Sequence, residues 1–146
     1  MVPAFIKPNI ICENVIDEEI RAINVNLTGT FICTGAVLQR NKNAIIVNIG
    51  SSAGSKPRAT WASYCASKAG VIIATKCWSD EGVRAICISP GRTKTKMREN
   101  LFSNENPEEL LKAEDFADVV IRAINGDFEW GKNLDVNVGN IQKYEI

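Results

Sequence analysis

Tyr64 and Lys68 stand four residues apart in the run Ser63-Tyr64-Cys65-Ala66-Ser67-Lys68-Ala69-Gly70. On a helix that spacing places both side chains on one face. A neighbouring ammonium favours a phenolate, so it lowers a tyrosine pKa from its ordinary value of about 10. The pair is expected to give a phenol that donates or accepts a proton near neutral pH. The same spacing also arises by chance, as an ordinary pair on a helix surface, and the flanking residues decide between the two. The 146-residue chain has no histidine. That excludes Ser-His-Asp triads, imidazole acid–base chemistry and most catalytic metal sites, and no metal is expected. Proton chemistry falls to tyrosine, lysine or carboxylates.

Ser51 lies thirteen residues before Tyr64, after the apolar run Ala44-Ile45-Ile46-Val47-Asn48-Ile49-Gly50. That run is short, β-branched and closed by Gly-Ser-Ser, which reads as a buried strand. A hydroxyl at the C-terminal edge of such a strand sits where open α/β sheets bind ligands. Capping of the strand end is the alternative for Ser51, and Ser52 is its nearest competitor. Upstream stands Asn26, in Val25-Asn26-Leu27-Thr28-Gly29. Downstream, a second apolar run over residues 83–88 enters Ser89-Pro90-Gly91-Arg92-Thr93-Lys94-Thr95. Taken singly, Asn26 is an ordinary helical polar residue, Pro90-Gly91 a generic turn, and Thr95 a cap on the turn that follows.

The elements that must position these residues alternate between helix and strand. Residues 1–16, with Pro3 and Pro8, read as a loop. Asp17 suits a helix N-cap, with Glu18 and Glu19 in the first turn. Ile20, Ile23, Leu27, Phe31 and Leu38 then recur at helical spacing to about Arg40. A turn at Asn41-Lys42-Asn43 leads into a strand over 44–49, and a polar loop over 50–60 follows. A second long helix, 61 to about 80, carries Tyr64 and Lys68 and closes at Gly82. Residues 92–106 form the longest irregular stretch. Asn106-Pro107-Glu108-Glu109 starts a short helix, a cap residue followed by proline at the first position. Residues 114–125 are amphipathic through Phe116, Ala117, Val120, Ile121 and Ile124, with Gly126 at the C′ position. Residues 134–139 read as a last strand. This order predicts an α/β fold with a parallel sheet and right-handed crossovers.

The ordered set resembles the short-chain dehydrogenase/reductase family. Asn26, Ser51, Tyr64 and Lys68 match its catalytic tetrad. Pro90-Gly91, with Thr93 and Thr95, matches its nicotinamide-contacting loop. The resemblance spans essentially the whole chain but only the second half of the family's domain. The family's opening Thr-Gly-x-x-x-Gly-x-Gly turn, which cradles a pyrophosphate at a helix N-terminus, has no counterpart here. Neither does its Asn-Asn-Ala-Gly segment. The implied architecture is a partial doubly wound parallel sheet, the C-terminal half of a Rossmann-like domain, with residues 1–146 as one incomplete domain.

The resemblance implies an oxidoreductase that moves a hydride between NAD or NADP and a carbonyl or alcohol. Tyr64 would donate or accept the proton, and Lys68 would hold the nicotinamide ribose hydroxyls and stabilise the phenolate. Ser51 would hydrogen-bond the substrate oxygen. Asn26 would interrupt its helix and hold a water that links Lys68 to solvent. Activity is expected of a longer native chain. The alternative is a truncated, inactive remnant that only oligomerises. The two long helices form a dimer interface in the family, so a homo-oligomer is implied. Six residues, 77–82, separate Thr75-Lys76 from Val83-Arg84-Ala85, fewer than family members usually have. The second helix should therefore end about a turn early.

Seventeen basic residues balance seventeen acidic ones, so no nucleic-acid partner is expected. No apolar stretch has the length of a membrane span, and the first residues lack a signal-peptide pattern. A soluble, cytoplasmic protein without membrane contact is expected. Five scattered cysteines (Cys12, Cys33, Cys65, Cys77, Cys87) read as buried reduced thiols rather than a disulfide or zinc framework. Cys65 is either reactive or a small residue packing behind Tyr64. Arg92, Lys94, Lys96 and Arg98 are spaced two apart, so an extended segment would turn them to one side. That arrangement would suit a phosphate-bearing substrate; with Arg58, they are otherwise solvated loop charges. Residues 95–102, continuing to Leu110-Leu111, faintly resemble reductase domains of polysaccharide-precursor synthesis that act on pentulose phosphates.

Overall fold

Three short strands pair into one sheet. The computed structural model describes residues 4–11, 16–102 and 104–144. Within it, β1 (Ile45–Ile49), β2 (Arg84–Pro90) and β3 (Asn133–Val136) lie in the order β1-β2-β3, with both pairings parallel. Val47 stands opposite Ile86, and Ile88 opposite Leu134. The α/β class expected from the alternation of elements is the one adopted.

Successive strand residues point to opposite faces, and β2 uses both. Ile86 and Ile88 pack with Leu111, Val136 and the α5 residues Val119 and Ala123; α5 spans Ala113–Asn125. Cys87 faces the other way, onto Val71 and Ile72 of α3 (Ala62–Asp80). Helices thus cover both faces, as in a doubly wound sheet. From Ala85 to Ser89 every β2 residue is buried, which explains its nearly continuous apolar sequence. The outer strand is different. In β1 only Ile46 and Asn48 are buried, while Ile45, Val47 and Ile49 are half-exposed. The buried strand expected there is therefore a half-buried edge strand, because a neighbour on one side only cannot cover it.

The helix expected from Asp17 to Arg40 is interrupted. α1 (Ile16–Ile23) passes through a π-helical turn, Asn24–Thr28, into α2 (Gly29–Arg40). Asp17 lies inside the first turn of α1 rather than at its cap, and residues 12–15 fall outside the described ones. The apolar period survives the interruption, but its face is only partly covered. Ile20 and Phe31 are exposed, and Phe31 meets Trp78 of α3 edge-on at 5.0 Å. α3 stops at Asp80, and Gly82 beyond it takes φ +90°, a conformation open to glycine at little cost.

The stretch 92–106 is not wholly irregular, since it contains α4 (Lys96–Leu101). Its cap was visible in the sequence: the Thr95 hydroxyl accepts the Arg98 N–H at 3.3 Å. Asn106 likewise accepts from the Glu108 N–H and opens a 3₁₀ turn, Pro107–Glu109. Gly126 ends α5 at φ +86°. β3 stops at Val136, short of Gly139, because Asn137 folds back: its side chain accepts the Gly139 N–H. A 3₁₀ turn, Ile141–Tyr144, follows. The described cysteines are all free thiols, but Cys33 and Cys77 are exposed and only Cys87 is fully buried. The burial expected of all five cysteines therefore fails at Cys33 and Cys77 and is only partial at Cys65, while Cys12 lies outside the described residues. No helix among the described residues is long and apolar enough to cross a membrane.

Candidate active site

The chain leaves β1 through Gly50, whose N–H donates to the Ile88 carbonyl at 2.8 Å. A Cβ at Gly50 would stand 2.9 Å from Cys87 Sγ, so the close approach of the two strands requires glycine here. Ser51 follows in extended conformation, and its hydroxyl accepts the Ala53 N–H at 3.1 Å to open the short turn Ser52–Gly54. The capping role and the site position therefore coincide in Ser51. Gly54 brings this turn against the backbone of α3, where a Cβ would lie 2.9 Å from the Lys68 carbonyl carbon. That contact brings the end of β1 up to the first turns of α3.

Tyr64 is 7% exposed and meets Trp61 edge-on at 5.8 Å. Burial pushes its phenol above the ordinary tyrosine range, while hydrogen bonding with Ser51 and the charge of Arg58 act in the opposite direction. The expected lowering by Lys68 is absent. The Lys68 Nζ donates to the Ile49 carbonyl at 2.7 Å and stands 6.0 Å from the Tyr64 ring centroid. Spacing on a helix put the two on one face, but a strand carbonyl captured the ammonium. Lys68 is itself buried, and burial lowers its pKa.

Ser51, Tyr64, Pro90, Gly91, Thr93 and Thr95 line one cavity of about 120 Å³. Thr93 donates to the Gly91 carbonyl at 3.3 Å, and Thr95 both faces the cavity and caps α4. Asn26 and Lys68 line a neighbouring cavity of about 310 Å³ along β1. The sequence-predicted set is thus divided between two adjoining cavities, with Tyr64 and Lys68 one helical turn apart at the partition.

The amide of Asn26 is fully occupied. Its Oδ1 accepts the Phe5 N–H at 2.7 Å, and its Nδ2 donates to the Phe5 carbonyl at 2.8 Å and to Ser67 Oγ at 3.2 Å. Ser67 in turn donates to the Tyr64 carbonyl at 2.8 Å. Asn26 therefore clamps the N-terminal segment to the turn of α3 that carries Tyr64. Burial makes that clamp strong, since each lost partner would leave an unpaired polar group away from water. Buried Glu19 has a related role: it accepts the Ser63 N–H at 3.2 Å, one of the unpaired donors at the start of α3. Phe5, Glu19 and Ser67 were missed in the sequence. Their partners lie 21 to 44 residues away, and no local pattern marks such pairs.

The basic row does not line up on one side. Lys96 and Arg98 belong to α4, whose period differs from that of an extended segment. Arg98 forks Glu105 with two bonds of 2.5 Å, and Arg92 pairs with Glu109 at 3.3 Å. Arg58 has no ion-pair partner among the described residues and lies over the Trp61 ring at 5.3 Å.

The short chain dehydrogenase family matches residues 10–106. A 2,3-dihydro-2,3-dihydroxybenzoate dehydrogenase of Bacillus subtilis (strain 168) is 31% identical over 86% of this chain and 58% of its own. A bifunctional ribulose 5-phosphate reductase/CDP-ribitol pyrophosphorylase of Haemophilus influenzae is 30% identical over 82% of this chain and 26% of its own. Among solved structures, a 4-hydroxyisoleucine dehydrogenase mutant complexed with NADH and succinate superposes with a TM-score of 0.83 at 25% identity, over 92% of this chain and 63% of that one. The chain thus spans less than two thirds of each of these proteins. With two thirds of its residues inside the family match and its fold reproduced in a solved dehydrogenase, this chain belongs to the short chain dehydrogenase family.

Proposed function

We propose that this chain is the catalytic, C-terminal half of an NAD(P)-dependent oxidoreductase acting on a small carbonyl or alcohol. The observation that carries the reading is that Ser51 and Tyr64 face one cavity closed by Pro90, Gly91, Thr93 and Thr95. The nicotinamide cofactor, when bound, supplies or accepts the hydride. In the reductive direction the Tyr64 hydroxyl gives its proton to the carbonyl oxygen as the carbon gains the hydride, so the C=O π bond is replaced by one C–H and one O–H bond. In the oxidative direction the Tyr64 phenolate takes that proton back. Ser51 orients the substrate oxygen and stabilises charge developing on it. A phenol raised by burial suits proton donation, and a phenolate formed there draws on Ser51 and Arg58.

The residues present fit one end of such a cofactor. Lys68 has three N–H donors, one of which is held by Ile49; the other two are available to the nicotinamide ribose hydroxyls. Pro90, Gly91, Thr93 and Thr95 would meet the nicotinamide. The Asn26 side chain has no donor to spare, so the water linking Lys68 to solvent falls to its main-chain carbonyl, where Thr30 Oγ1 already donates at 2.8 Å. No Gly-rich turn in the sequence offers a pyrophosphate cradle. We place the missing half against the free edge of β1, in a longer native chain or a partner. Exposed Phe31, Ile32, Val37 and Ile73 on α2 and α3 support assembly into a homo-oligomer. Free thiols accord with a reducing, cytoplasmic location.

The test is Tyr64→Phe in a longer form that carries a dinucleotide-binding half. Turnover followed by NADH or NADPH absorbance should fall at least about a thousandfold, since the proton donor is lost. Cofactor affinity should change less than about twofold. Wild-type turnover in the variant would remove Tyr64 from the chemistry.

A further inference from the structure

The cavity above Tyr64 has an outer wall that the chemistry of hydride transfer does not use. Arg58, Trp61, Met97 and Leu101 form it. Three cations lie in or near this wall, and they differ in what answers their charge. Arg98 is forked by Glu105 and Arg92 is paired with Glu109. Arg58 makes no salt bridge among the described residues and meets the Glu105 charge only at longer range. Its guanidinium lies over the Trp61 indole at 5.3 Å, within cation–π range, and its N–H donors make no hydrogen bond among the described residues.

The backbone holding Arg58 is constrained as well. The Trp61 N–H donates to the Arg58 carbonyl at 3.2 Å, closing a tight turn. Thr60, at its third position, has φ +65°, in the left-handed region where glycine or asparagine is the usual residue. For a β-branched residue that conformation is strained. The Asn9 N–H holds the turn from outside by donating to the Thr60 carbonyl at 2.9 Å. A strained, clamped loop therefore presents a guanidinium without a salt bridge among the described residues to the cavity that holds Ser51 and Tyr64.

We infer that Arg58, lying over Trp61, is an anion-recognising subsite, and that the substrate carries a carboxylate or phosphate next to the reacting carbonyl or alcohol. The planar fork of arginine matches either oxyanion with two parallel hydrogen bonds. Its field also reaches Tyr64, so an anion bound there reduces the positive charge that favours the phenolate and leaves Tyr64 a neutral proton donor. The substrate role rests on the oxidoreductase reading above. Anion binding does not, because every residue of this subsite lies within the present chain.

The test uses three probes of one shape, benzoate, phenyl phosphate and benzamide, titrated into the chain and followed by tryptophan fluorescence. Wild type should bind at least one of the two anions about tenfold or more tighter than benzamide, the range of a charge-assisted bidentate contact. The tighter anion identifies carboxylate or phosphate as the natural group. Arg58→Gln should bring that anion within about threefold of benzamide, and Arg58→Lys should recover part of the difference. Trp61→Phe should remove most of the signal, which separates this subsite from Trp78 and Trp130. Equal affinity for benzamide and both anions, or an anion preference untouched by Arg58→Gln, would overturn the proposal. Anion binding in a protein with no oxidoreductase turnover would instead sink the reading of the site while leaving the subsite standing.

Discussion

β1 and β2 look alike as sequence, Ile45-Ile46-Val47-Asn48-Ile49 beside Arg84-Ala85-Ile86-Cys87-Ile88, yet the protein treats them differently. β2 is sealed on both faces and both edges, with Ile86 and Ile88 at 0% exposure. β1 has one neighbour, leaves Ile45, Val47 and Ile49 half-exposed, and lines the larger cavity. The closed side, β2 with β3 and α5, is a finished core. The open side holds Lys68 and Asn26, and Tyr64 and Ser51 sit on the boundary between them. A strand's composition reports the faces it is made to bury, and β1 is apolar enough to receive a further strand that the described residues do not supply.

The contrast should be largest in core truncations. Ile88→Ala should lower unfolding free energy by about 2–5 kcal/mol, because it opens a void in a packed core. Ile45→Ala should cost less than about 1.5 kcal/mol, since that side chain already faces solvent in part. Urea denaturation of both variants checks the difference, and equal losses would break the distinction between closed and open sides.

Lys68 sharpens the comparison with a change of sign. Its folded pKa is lowered by burial from an ordinary 10.5. Below the folded value both states hold the proton, and the native state carries the full desolvation penalty. Between that value and 10.5 the unfolded chain binds more protons, so stability rises with pH. Lys68→Met should therefore stabilise the chain by about 1 kcal/mol at pH 7, net of the lost bond to Ile49. That gain should shrink as pH approaches 10.5, a trend readable from thermal melts in a pH series. A gain unchanged with pH would mean the ammonium is not desolvated.

How much of this was legible beforehand follows from the same physics. β2, α5 with Gly126, and the Asn106 turn were readable because propensity, period and cap all act over a few residues. The interruption at Asn26 came from the family resemblance and not from the apolar period, which continues through it. α4 was missed although Thr95 marked its start, because six residues offer almost no period to detect. The pairing of Ser51 with Tyr64 was legible from order and spacing. Its electrostatics were not: the capture of Lys68 by Ile49 and the Asn26 clamp on Phe5 both depend on partners far away in sequence.

On the function proposed above, the open side of this chain is half of a cofactor site. Calorimetric titration of the 146-residue chain with NADH and NADPH tests it most directly. Weak binding or none is expected for either, because Lys68 and the Pro90-Gly91 loop would hold only one end of the cofactor and no Gly-rich turn in the sequence offers a pyrophosphate cradle. Saturable micromolar binding by the homogeneous chain would contradict it.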